Sequence, residues 1–178
     1  MHRLFVAIRP PVAIRALLHG LMEGVPGARW QDDDQLHLTL RFIGEVNGHQ
    51  ADDALASLGT VRHPCFQIAL DGVGSFGSRG RTNALWAGVR PHDALAHLHR
   101  KIDQALVRAG LEPERRAYMP HITLARFGRE AGAIEPFLER HAGLASQPFE
   151  VSHFALFESR LGQAGASYTI VERYPLGN

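Results

Sequence analysis

A single cysteine, a single lysine and the lack of any long apolar run bound what this 178-residue chain can be. Cys65 has no partner within the chain, so an intramolecular disulfide and a cysteine-based zinc site are both excluded. The apolar run in the opening MHRLFVAIRPP covers five residues and stops at Arg9, and no longer run follows. That is too short for a signal-peptide core or a membrane span. A cytoplasmic protein with no membrane partner is therefore expected. Charge of one sign is scarce as well: the formal net charge is +1. No global field draws such a chain to nucleic acid, and a substrate phosphate has to be met by a local site. Apart from Lys101 the basic side chains are arginines. Arginine suits planar, bidentate phosphate contacts, although so general a use reads first as compositional bias. An apolar share of 45% leaves room for a core, in one domain or two closely packed lobes.

What is present is a tetrad written twice, HLTL at 37–40 and HITL at 121–124. The surroundings repeat with it. Phe66 opens a strand 29 residues after His37, and Phe149 opens one 28 residues after His121. Phe76-Gly-Ser-Arg79 lies 39 beyond the first histidine and Phe157-Glu-Ser-Arg160 lies 36 beyond the second. Periodicity predicts strands over 3–8, 36–43, 66–73, 83–89, 120–127, 149–157 and 167–174, and helices over 11–22, 51–58, 91–110 and 133–141. Asn47-Gly48 reads as a turn, GSFGSRGRT at 74–82 as a glycine-rich hairpin connection, Asp93 as a helix cap and Gly110 as that helix's stop.

The order helix, His-x-Thr strand, helix, strand, strand thus occurs twice, as repeats at 11–91 and 92–175 within a single bilobal domain, 1–178. Strands in adjacent pairs favour antiparallel pairing and an α+β class. Two antiparallel-type sheets flanking a central cleft, with helices on the outside, are expected.

Strand side chains alternate between faces, so His37 and Thr39 share one face while Leu38 and Leu40 take the other. His121 and Thr123 repeat this against Ile122 and Leu124. The leucine side belongs in a core, and the His/Thr sides can then oppose one another across a cleft. Imidazole titrates near neutrality, so one ring can accept a proton while its twin donates one. Opening a phosphodiester asks for that pair, with hydroxyls donating to the non-bridging oxygens. The scheme needs no metal or other cofactor. It predicts a bell-shaped pH–rate profile with both limbs near neutrality.

The paired elements HLTL and HITL resemble those of the two-histidine (2H) phosphoesterases. Within them RLFVAI, HLTLRFIGEV, PHITLARF and the closing FALFESRLGQAGASYTIVERYPL look like the RNA 2′,3′-cyclic phosphodiesterases, formerly called 2′-5′ RNA ligases. The resemblance spans nearly the whole chain. It implies a bilobal α+β fold, no cofactor, and hydrolysis of an RNA terminal 2′,3′-cyclic phosphate to a 2′-phosphate. It also implies that His37 is the general acid, that His121 is the general base, and that Thr39 and Thr123 hold phosphoryl oxygens. Arg126, five residues after the second histidine, fills the family's place for a phosphate contact. Strict alternation puts residue 126 on the wrong face unless the strand ends or bulges near Ala125. Alternation alone favours Arg41 instead.

Phe5, Phe42 and Tyr118 are candidates to stack on a base, against a core role for each. His92, His97 and His99 read as a solvated helix face, and His153 as a buried, hydrogen-bonded side chain. The expected partner is RNA with a cyclic phosphate end, or a small cyclic nucleotide, bound by a monomer. Three other readings compete: a phosphodiesterase or reversible ligase for 2′-5′-linked or other cyclic nucleotides, a non-catalytic RNA-end binding module, and a metal-dependent hydrolase. The absence of HExxH spacing and of acidic clusters near either tetrad counts against the last.

Overall fold

In the computed structural model, which describes residues 1–177, the apolar side chains of the two tetrads go where alternation sends them. Leu38, Leu40, Ile122 and Leu124 are at most 1% exposed. They join a core with apolar residues of the helices, among them Leu18, Leu58, Leu98 and Phe137. Burying one such side chain is worth about 1.5–3 kcal/mol, so the helices stay on this face and the His/Thr face is left uncovered.

Among the described residues the elements are β1 (His2–Ile8), α1 (Val12–His19), β2 (Arg29–Trp30), β3 (Leu38–Val46), α2 (Gly48–Leu58), β4 (Phe66–Ser78), β5 (Arg81–Arg90), α3 (Asp93–Arg108), β6 (His121–Arg126), α4 (Glu135–Arg140), β7 (Phe149–Val151), β8 (His153–Gly162) and β9 (Gly165–Pro175). The strand order is β7-β4-β5-β6-β3-β1-β8-β9, with β2 added on β6. Every pairing is antiparallel. The α+β class holds, but the strands run in one order rather than as two separate sheets. Two four-strand groups meet at one register pair, Leu38 with Ile122. Among the described residues no helix is long and apolar enough to cross a membrane.

Several boundaries move for local reasons. Asn47 is not a turn residue but the cap of α2: its side chain accepts from the Gln50 amide and the Gln50 side chain accepts from the Asn47 amide. His92 rather than Asp93 is the N-cap of α3, and Asp93 lies in its first turn. The stretch 74–82 is mostly strand, and only Arg79 (φ 54°) and Gly80 (φ 74°) turn the β4–β5 hairpin. Positive φ at both central residues matches the twist of the flanking strands. The single strand expected over 149–157 is split at Ser152: β7 pairs with β4, whereas β8 pairs with β1 and β9.

Arg41 borders the histidine-side cavity, but its guanidinium is tied into this frame. It is 5% exposed, with Nε donating to Asp103 Oδ1 at 2.8 Å and its other nitrogens donating to the carbonyls of Phe42 and Glu112. Asp103 also accepts from the Glu114 amide at 3.0 Å. Arg41 therefore ties β3, α3 and the loop before β6 together. Truncating one member of a buried pair leaves the other charge uncompensated. Arg41→Ala is expected to cost about 2–4 kcal/mol, read from urea unfolding. A loss under about 0.5 kcal/mol, typical of an ordinary surface site, would contradict this role.

Candidate active site

His37 and His121 each lie one residue from the Leu38–Ile122 pair, on opposite sides of it. Both point away from the core. In a regular antiparallel ladder such diagonal neighbours are about 7–8 Å apart. The two rings are held alike: His37 Nδ1 bonds the Gln35 carbonyl at 2.7 Å, and His121 Nδ1 bonds the Met119 carbonyl at 2.6 Å. A carbonyl only accepts, so Nδ1 carries a hydrogen in both rings and Nε2 remains for chemistry. A neutral ring then accepts at Nε2, and a protonated ring donates there.

Each ring is packed in aromatics. Phe5 and Tyr168 lie 4.9 and 5.3 Å from His37, and Phe76 and Trp86 lie 4.8 and 6.2 Å from His121, between ring centroids. Gly74 makes room for Trp86, because a Cβ there would come within 2.2 Å of the indole. Burial pushes His37 down to about 4; the bond to Gln35 opposes that, and the charges of Arg126 and His121 add to it. Burial also lowers His121, against the bond to Met119 and with help from Arg126. With both rings below the ordinary 6.5, the neutral form of each predominates at pH 7.

Bulges decide which other side chains join them. Between the pairs Trp86–Thr123 and Leu85–Ala125, Leu124 is an additional residue on β6. Leu124 and Ala125 are both fully buried, and Arg126 returns to the face of His121. β3 does the same three residues after its own histidine. Leu40 is additional between Ala7–Thr39 and Val6–Arg41, which buries Arg41 and sends Phe42, 48% exposed, to the cleft. The positions five beyond the histidines are thus Phe42 and Arg126, both on the cleft face. Thr39 and Thr123 are half-buried on the same face.

A bulge leaves backbone groups unpaired, and two aromatic side chains take up those of β3. Tyr118 Oη donates to the Thr39 carbonyl at 3.1 Å, and His99 Nδ1 donates to the Leu40 carbonyl at 2.6 Å. Burial raises the Tyr118 phenol, which stays protonated and donates. The two rings stack at 4.3 Å with an interplanar angle of 3°. With Phe42, Phe76, Met119 and His121 they line a cleft of about 230 Å³.

His99 therefore corrects the expectation of a solvated face. His92 Nε2 bonds the Val89 carbonyl at 2.8 Å, while His97 is exposed beside His63. His153 is exposed, not buried. Of the three stacking candidates, Phe5 is 3% exposed and serves as packing for His37, whereas Phe42 and Tyr118 reach the cleft. Phe76, Trp86, Tyr168 and His99 join the site from outside the two tetrads. Alternation through GSF and ALW carried a signal for the first two; no local pattern marks the others.

Among the described residues no group of three or more His, Cys, Asp or Glu side chains is gathered as a metal cage. The arrangement can pass a proton in at one Nε2 and out at the other, beside two hydroxyls and a guanidinium that suit an anion.

Comparison with known proteins agrees over most of the chain. The family model of the 2′-5′ RNA ligase superfamily matches residues 10–163. A protein of Escherichia coli (strain K12) named RNA 2′,3′-cyclic phosphodiesterase is 32% identical over 98% of this chain and 96% of its own length. One of Geobacillus stearothermophilus with the same name is 31% identical over 85% of this chain, which spans 49% of that relative's length. The crystal structure of E. coli LigT in apo form superposes with a TM-score of 0.79 at 28% identity, covering 99% of this chain and 98% of that one. The LigT complex with 3′-AMP gives 0.78 at 27% identity, covering 99% of each chain. The chain belongs to the 2′-5′ RNA ligase superfamily.

Proposed function

We propose that this protein hydrolyses the terminal 2′,3′-cyclic phosphate of RNA to a 2′-phosphate without a metal, His37 acting as general acid and His121 as general base. Water attacks phosphorus in line with the P–O3′ bond. His121 Nε2 takes the water proton, the P–O3′ bond breaks, and His37 Nε2 protonates O3′, leaving a 3′-hydroxyl and a 2′-phosphate. Thr39, Thr123 and Arg126 hold the non-bridging oxygens, where charge accumulates. The observation that carries this reading is the matched pair of Nδ1–carbonyl bonds, which leave two Nε2 atoms on one face beside both threonines. The relatives' names and the nucleotide monophosphate bound by E. coli LigT support the substrate class. The terminal base then occupies the cleft beside Phe42 and Tyr118, where a face can stack on it.

The same reading takes residues 1–178 as one bilobal domain made by duplication and acting as a monomer. Because β1 lies beside β3 as β5 lies beside β6, each repeat is better begun at the strand before its first helix than at 11 and 92. The test is incubation with an oligonucleotide ending in a 2′,3′-cyclic phosphate, in excess EDTA, followed by identification of the monoester. A 2′-phosphate is expected. A 3′-phosphate, or loss of turnover on chelation, would reject the scheme.

A further inference from the structure

Beyond the histidines, the cleft face continues along one row of small side chains. Ala7 pairs with Thr39 on one side and Ala155 on the other, and Ala155 pairs with Arg173. At 4.7–4.9 Å per strand the row from Thr39 to Arg173 is about 14 Å long. Phe5 and Phe157, stacked at 5.1 Å, form a ridge along one edge. Arg9 and Arg15 form the other wall, and with Arg173 and His153 they line a cavity of about 230 Å³ over the two alanines. On the far side of the histidine pair the matching place is closed. There Thr123 is paired with Trp86, which is paired with Gly74, and the indole fills the row. The row beyond the histidine pair is thus filled on the Trp86 side and open over Ala7 and Ala155 on the other, where it forms a trough.

We infer that this trough is a second anion site, which takes a backbone phosphate of the RNA strand leading up to the cyclic end. The inference rests on the proposed function and names the part of the substrate beyond the terminal nucleotide. The floor is alanine and the Phe5–Phe157 ridge is only 3% exposed, so a base finds little face to stack on, whereas the walls carry guanidinium groups suited to phosphate oxygens. Asp33 fixes two of them, accepting from Arg9 at 3.1 Å and Arg15 at 3.0 Å, and Asp34 lies 3.6 Å from Arg9. Those acids offset part of the charge and hold the wall in place. Arg173 joins no ion pair among the described residues. Among the described residues it is thus the trough's cation that no carboxylate offsets. With a net charge of +1 for the chain, a preference for RNA over a mononucleotide has to come from a local feature of this kind.

The test compares wild type with Arg173→Glu on two substrates, a nucleoside 2′,3′-cyclic phosphate and a tetranucleotide ending in one. Arg173→Glu is expected to lower kcat/KM for the tetranucleotide about tenfold or more, and to leave the mononucleotide unchanged. Arg173→Ala should flatten the salt dependence of log kcat/KM for the tetranucleotide by about 0.7, the value of one single-strand phosphate contact. Equal losses on both substrates, or none on either, would overturn the site. Failure of wild type on both substrates rejects the proposed function instead. The trough is then judged by fluorescence anisotropy with a 5′-labelled tetranucleotide 2′-phosphate. Weaker binding by Arg173→Glu supports it, and unchanged binding overturns it.

Discussion

Alanine at His37 or at His121 is expected to lower kcat by about 10²–10⁴, the range for a positioned acid or base. That corresponds to about 3–5 kcal/mol of lost transition-state stabilisation. Both rings present Nε2 to the same face through the same backbone bond, so under the proposed scheme each performs one half of a single proton transfer. The double variant should therefore lose little beyond either single one, as groups acting as a unit do. Circular dichroism and the urea midpoint at pH 7.5 check that the fold survives. Residual activity above about a tenth of wild type in either variant, with the fold retained, falls short of that range and would reject the pair as acid and base.

The second large effect is on pH. kcat/KM follows the free enzyme with His37 protonated and His121 neutral, a constant share of the singly protonated form. Burial holds His37 near 4 and moves His121 down from 6.5. The singly protonated form is most populated between the two values, so kcat/KM should peak below pH 6.5. Above pH 6.5 it should fall, approaching tenfold per pH unit. Sequence alone suggested both limbs near neutrality; desolvation by the aromatic packing moves them toward acid. A bound phosphodiester anion favours the protonated rings, so the kcat profile should lie at higher pH than that of kcat/KM. Initial rates from pH 4.5 to 9 with a nucleoside 2′,3′-cyclic phosphate measure both. A kcat/KM that is flat or rising from pH 6.5 to 8 would contradict the assignment.

Stability carries the same signature. The folded state resists protonating His37 while the unfolded chain accepts the proton at its ordinary value. Stability is therefore complete above pH 6.5 and is lost as pH falls toward about 4. The loss is on the order of 3 kcal/mol for a shift of that size. His37→Gln should be less sensitive to acid over that window while being inactive.

The tetrads were legible because alternation is a local rule. Given HLTL and HITL, the leucines must take one face and the histidines and threonines the other, and the core accepted the leucine side. Arg126 and Arg41 mark the limit of that rule. Counting by twos gives Arg41 the histidine face and Arg126 the other; the structure reverses this, holding the Arg41 guanidinium on Asp103 at the cleft's border and bringing Arg126 to the histidines. Each reversal comes from one additional residue, Leu40 or Leu124, whose place depends on pairing with β1 or β5. No residue next to either leucine announces a bulge.

His99 and Tyr168 were illegible for a related reason. They reach the site from α3 and β9, distant in the chain, so only packing brings them there. The strand expected over 149–157 is likewise divided by its partners, since β4 claims one end while β1 and β9 claim the other. The amino-acid order by itself determined the two histidines, their threonines and the face they occupy, since those follow from the two-residue period of a strand. Tertiary structure alone decided the bulges, the single strand order, the aromatic packing that lowers both imidazoles and the trough over Ala7 and Ala155. Each of these depends on which segments lie side by side, and that is a property of the folded whole.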